Sequence, residues 1–136
     1  MKNVFVILSL LAVLTTSCKH RSQYQSFLVD RINVSDINLS RYHSIVVIPG
    51  SGCPGCISEA ENYCRQSLSR NDSILFIFTN IYSLKSLKNK LKIDLFNNSR
   101  IILDTCDFYY VSDYYDSMYP QKIILSKSEI VDVKTL

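Results

Sequence analysis

Two kinds of apolar run alternate along this chain. Residues 44–48 (Ser-Ile-Val-Val-Ile) and 73–79 (Ser-Ile-Leu-Phe-Ile-Phe-Thr) are short, continuous and rich in β-branched and aromatic side chains. That is the pattern of strands covered on both faces of a sheet. Elsewhere the apolar positions recur at helical spacing. From Pro54 to about Leu68, the residues Cys56, Ala60, Cys64 and Leu68 recur every four positions with Ile57 beside them, predicting a helix that buries this stripe. Leu84, Leu87 and Leu91 predict a second helix within 83–93, with lysines on its other side. Residues 100–103 form a third short apolar run ended by Asp104, and 109–118 reads as a short tyrosine-rich helix or turn. Residues 121–125 and 129–133 predict a hairpin about Ser126-Lys127-Ser128, while 27–38 fits either a short helix or an irregular strand. Strand, helix, strand, helix, then a hairpin argues for an α/β sheet with helices on its faces.

The N-terminal residues follow a different logic. Lys2, an apolar core at 4–14 and the small residues Thr15-Thr16-Ser17 have the layout of an export signal over 1–17. The apolar core is too short to span a bilayer, which takes about twenty residues. Cys18 follows directly, and small residues before a Cys resemble the lipobox of bacterial lipoproteins, with Thr15 in place of the usual Leu. The resemblance implies lipidation at Cys18 and attachment to a membrane surface in the bacterial cell envelope, on the periplasmic side or the outer surface. Residues 18–26 then read as a polar tether, and 27–136 as one domain. A net charge of +3, with 20% charged residues, is too mild to argue for nucleic acid.

Chemistry concentrates at Cys53-Pro54-Gly55-Cys56, where the apolar run 44–48 gives way to the first helix. A first thiol at a helix N-terminus faces backbone N–H groups and the positive end of the dipole, which favour thiolate. Two intervening residues let the sulfurs reach bonding distance without the strain of adjacent cysteines. The same pair also fits a static structural disulfide or half of a zinc site. Zinc would need two more ligands, and the remaining candidates, Cys64, Cys106, His20 and His43, are scattered. Cys64 falls on the apolar stripe, as a buried inert thiol would. Cys106 follows Asp104 in a predicted loop, and a Cys64–Cys106 bond is arithmetically possible.

With a strand leading into Cys-x-x-Cys on a helix, a second strand and helix, a short strand ending in Asp104, and Pro120 opening a hairpin, the chain resembles the thioredoxin fold. The most similar group is the membrane-anchored, TlpA-like thiol-disulfide oxidoreductases of bacterial envelopes. The resemblance spans roughly 43–133. It implies a central mixed sheet flanked by helices, with Cys53 and Cys56 as the catalytic dithiol. It further implies a cis Pro120 facing that dithiol, where Tyr119-Pro120, with Pro54 and Gly55, would dock a partner segment. No separate cofactor and no metal are implied. The partners would be cysteine-containing envelope proteins and a membrane electron donor or acceptor protein. The chain departs from the family at Gly52, where Trp is usual, in having no acid within 44–48 and no Asp-Gly in the final turn, and in lacking the usual C-terminal helix. These departures keep a second function open: a non-catalytic binding lipoprotein whose disulfide is structural. A thiol peroxidase is disfavoured, because Ser51-Gly52-Cys53 does not supply a Thr-x-x-Cys site.

Overall fold

The computed structural model describes residues 21–136. The expected export signal, Cys18 and the start of the expected tether lie outside the described residues. Helix α1 (Gln23–Val34) comes first. Ser22 caps it in a reciprocal pair: its hydroxyl accepts the Gln25 N–H at 3.2 Å, and the Gln25 side chain accepts the Ser22 N–H at 3.2 Å. Tyr24, Leu28 and Ile32, four apart, are buried. Residues 23–26, expected in the tether, are therefore helical, and the ambiguous segment 27–38 is helix as far as Val34.

Strand β1 (Ser44–Pro49) and β2 (Ile74–Thr79) are buried at every position, as continuous apolar runs require. Between them runs α2 (Pro54–Ser69), and after β2 come α3 (Leu84–Leu91) and β3 (Ile101–Leu103). A 3-10 turn at Tyr115–Met118 leads into β4 (Gln121–Ser126) and β5 (Glu129–Thr135). The five strands lie in the order β3-β2-β1-β4-β5. β1, β2 and β3 are parallel, β4 is antiparallel to β1, and β5 is antiparallel to β4. Lys127 and Ser128 close the final hairpin with φ of 48° and 68°. A two-residue turn with both φ positive suits the twist of the strands even without Asn or Gly.

Alternation along β1 divides the core. Val46 and Ile48 face α2 and α3, packing with Ile57, Ala60, Cys64, Leu87 and Leu91. Ile45 and Val47 face α1, packing with Tyr24, Leu28, Ile32 and Ile123. The buried stripe of α2 is Ile57, Ala60, Cys64 and Ser67, with Cys56 half-buried at its edge. The expected four-residue stripe drifts because four residues advance about 40° beyond a full turn, so a straight helix alternates spacings of three and four. Beyond α2, β4 and β5 turn the pair Lys122 and Lys134 to the α2 side. The Lys122 ammonium donates to the Tyr63 hydroxyl at 3.1 Å.

Candidate functional site at the head of helix α2

β1 ends at Pro49, and the chain needs four residues, Gly50 to Cys53, to turn into α2. Both sides of this turn are fixed by hydrogen bonds. On one side the Gly50 N–H donates to the Thr79 carbonyl at 2.8 Å, and the Asn80 side-chain amide donates to the Ser51 hydroxyl at 2.7 Å. On the other side the Cys53 N–H donates to the Met118 carbonyl at 3.0 Å. Gly52 makes that approach possible. Its φ is 142°, a region L side chains rarely adopt, and a Cβ there would overlap the Met118 backbone.

Cys53 is the N-cap of α2. Its carbonyl accepts the Ile57 N–H at 3.0 Å, and its sulfur accepts the Cys56 N–H at 3.4 Å, taking the place of the usual hydroxyl or carboxylate oxygen. Pro54 occupies the first helical position, where a missing N–H leaves nothing unpaired. Cys53 and Cys56 are joined in a disulfide with their Cα atoms 5.4 Å apart. Both are half-buried, and Ser51, Gly52, Pro54 and Gly55 around them are exposed. The bond is thus open to solvent on the side of the turn. No acidic residue stands in the first turn of α2, so the helix dipole at this end is uncompensated and favours a thiolate once the bond is reduced.

The expected cis Pro120 is corrected: no peptide bond among the described residues is cis. Trans is the default even before proline, and Tyr119 has the extended φ of −112° and ψ of 142° that a following proline prefers. Pro120 is buried at the start of β4, where its carbonyl accepts the Leu136 N–H at 2.9 Å. The part of this segment that bonds the turn of Cys53 is the backbone of Met118, which nothing in the sequence marked out. Tyr119 is half-buried, and its hydroxyl lies 2.9 Å from that of Tyr115. This hydrogen bond, with lesser help from its surroundings, holds the Tyr119 hydroxyl above the ordinary phenol value.

The remaining sequence candidates divide between core and surface. Asp104 is buried and accepts from the Thr79 hydroxyl (2.7 Å) and the backbone N–H groups of Phe108 and Tyr109 (both 2.9 Å), so it folds the loop after β3. That loop reaches the site: the Asp107 carboxylate accepts the Asn80 N–H at 2.9 Å. Among the clustered tyrosines, Tyr109 is buried and Tyr114 packs on Tyr24 and Phe27, while Tyr115 is exposed. Cys64 is buried, and desolvation pushes its thiol up to about 12. Cys106 is exposed, and the two are free thiols, without the bond that arithmetic allowed. Among the described residues no three His, Cys, Asp or Glu side chains cluster so as to hold a metal ion. Compared with known proteins, the chain matches no protein family, no curated protein and no solved structure.

Proposed function

We propose that this protein is a thiol-disulfide oxidoreductase of the bacterial cell envelope, anchored through a lipid on Cys18 and thioredoxin-like in architecture. Support for the architecture comes from the strand order: β2-β1-β4-β5 combines a parallel pair joined through α2 with an antiparallel hairpin, and β3 is added outside β2. The observation that carries the activity is the solvent-open Cys53–Cys56 disulfide, seated on an uncompensated helix N-terminus.

In the reducing direction, the Cys53 thiolate attacks one sulfur of a partner disulfide. The partner's S–S bond breaks, its other sulfur leaves as a thiolate that takes a proton from water, and a mixed disulfide forms. Cys56, deprotonated, then attacks the Cys53 sulfur and expels the second partner thiol. The partner gains two electrons and this protein loses two, ending in the disulfide state described above. A membrane protein carrying a dithiol would restore the reduced form by the same steps in reverse. The head of α2 serves both stages, since the Cys56 N–H that bonds the Cys53 sulfur would also bond it as a thiolate.

A second reading has its own support. The turn is clamped by Met118 and Asn80, and Pro120 is buried, which suits a disulfide kept as a staple in a binding scaffold. The two readings separate on the equilibrium with glutathione and on insulin reduction. We expect a potential above about −300 mV and turnover that Cys53→Ser abolishes. A lower potential with no turnover assigns the disulfide to the scaffold. The anchor is read separately: Cys18→Ala should move the protein from the membrane to the soluble fraction, and unchanged retention refutes lipidation.

A further inference from the structure

Beside the turn that carries Cys53 lies a cavity of about 220 Å³, at the C-terminal ends of β1 and β2 and between α2 and α3. In open α/β sheets this is the edge where ligands bind. Its floor is apolar, built from Ile48, Phe78, Ile81 and Leu87. The charged residues on its wall, Glu61 of α2 and Lys90 of α3, pair with each other at 3.5 Å. Because acid and base answer one another, the wall presents no unmatched charge to an ion, and the floor calls for an uncharged group. Size narrows the choice further: an apolar cavity of about 150 Å³ admits a benzene ring, so this one takes one aromatic or branched aliphatic side chain. A whole small-molecule ligand needs about 300 Å³ or more.

Position supplies the occupant. Gly50 lines the cavity and stands three residues from Cys53, so their Cα atoms are at most about 11 Å apart. The Gly50–Thr79 and Ser51–Asn80 hydrogen bonds hold cavity and disulfide in one relation. Tyr82, 95% exposed, adds an aromatic surface at the mouth.

The geometry points to a specificity subsite: the cavity receives an aromatic or branched apolar side chain about three residues from the partner polypeptide's cysteine, while that cysteine exchanges with Cys53. This rests on the oxidoreductase reading, and the test separates the two. The reduced full-length protein is mixed with symmetric disulfide dimers of a short peptide bearing Phe three residues before its cysteine. A second peptide has Phe three residues after the cysteine, and a control has Gly at both places. Oxidised glutathione serves as a probe too small to reach the cavity. At least one Phe peptide should react about tenfold faster than the Gly control, the gain expected from burying one ring. Ser86→Trp, which fills the mouth from an exposed position on α3, should erase that preference and leave the glutathione rate unchanged. Equal rates for all peptides on a protein that reacts with glutathione overturn the subsite, as does a preference that survives Ser86→Trp. If no disulfide reacts, the oxidoreductase reading has failed, and the cavity is read by binding alone. The Phe peptides with Ser in place of Cys should then shift the methyl resonances of Ile81 and Leu87 saturably, and no shift overturns the subsite on those grounds too.

Discussion

At its C-terminal end, α2 and the turn after it surrender three backbone carbonyls to one side chain. The Arg100 guanidinium donates to Ser67 (3.3 Å), Leu68 (2.8 Å) and Asp72 (2.7 Å). A fixed positive charge sits where the dipole is negative, as a second partner for carbonyls that also accept the N–H groups of Asp72, Asn71 and Ile74. At the N-terminal end the side-chain acceptor is the sulfur of Cys53, a weak one, with no carboxylate nearby in the first turn. One end of the helix is thus saturated by a cation and the other is left short of negative charge. A helix held firmly at its base can keep its head under-satisfied, and that shortage is what a thiolate would relieve.

The most damaging way to break this arrangement is to remove the cation. Arg100→Ala should lower unfolding free energy by about 2–3 kcal/mol, since charge-assisted hydrogen bonds are lost and each carbonyl keeps only its backbone partner, the N–H of Asp72, Asn71 or Ile74. Denaturant titration reads the loss directly. Exchange by the molecules that remain folded should change little, because the lost bonds lie at the far end of α2. A variant as stable as the wild type would mean that water serves the carbonyls equally well, and the contrast between the ends would lose its basis.

The head of the helix is the place for the next change. Gly52→Ala forces an L residue to φ 142° and drives a Cβ into the Met118 backbone, so the turn must move and the Cys53–Met118 hydrogen bond must lengthen. The stability cost should be about 1–3 kcal/mol, the range for a strained backbone residue. The sharper expected outcome is chemical: the equilibrium between dithiol and disulfide should shift measurably against glutathione, whereas Arg100→Ala leaves it in place. Equal shifts in the two variants would show that α2 responds as a single body and not as two independently finished ends.

These two residues also mark what the sequence could disclose. β1, β2 and α3 were legible because continuous buried runs and leucines at helical spacing leave little choice of element. The dithiol was legible because two cysteines and a proline bring their chemistry with them. α1 was hidden: its stripe of Tyr24, Leu28 and Ile32 starts among Gln23, Gln25 and Ser26, and Phe27, Val29 and Val34 lie off the stripe and blur its period. The clamp on Gly52 depends on a carbonyl, and every residue has one, so Met118 sent no signal. The cavity draws its walls from the ends of two strands and from two helices, which only the folded sheet brings together. The cis Pro120 came from resemblance alone, and the chain at Tyr119 takes the ordinary extended route.

At ordinary pH the smallest effect distinguishes the two cysteines that α2 itself carries, Cys56 at its head and Cys64 two turns deeper. Burial raises the Cys64 thiol from an ordinary 9.0 to about 12. A raised thiol means that the folded state keeps its proton while the unfolded chain gives its own up. Below pH 9 both states are protonated and the contribution to stability is complete. Between pH 9 and 12 the unfolded state binds fewer protons, so stability falls as pH rises, by at most about 1.4 kcal/mol per pH unit. Tyr24, whose hydroxyl is buried and donates to the Tyr109 carbonyl at 2.8 Å, is raised as well and acts in the same direction. Denaturant midpoints measured from pH 8 to 11 should therefore decline, and Cys64→Ala should flatten the decline while lowering stability at pH 8 through the space it leaves. An alkylating reagent at pH 8 should modify Cys106 in the native protein and spare Cys64. Equal labelling of both would place Cys64 in reach of solvent, and the interior of α2 could no longer be contrasted with its head as the inert part of the same helix.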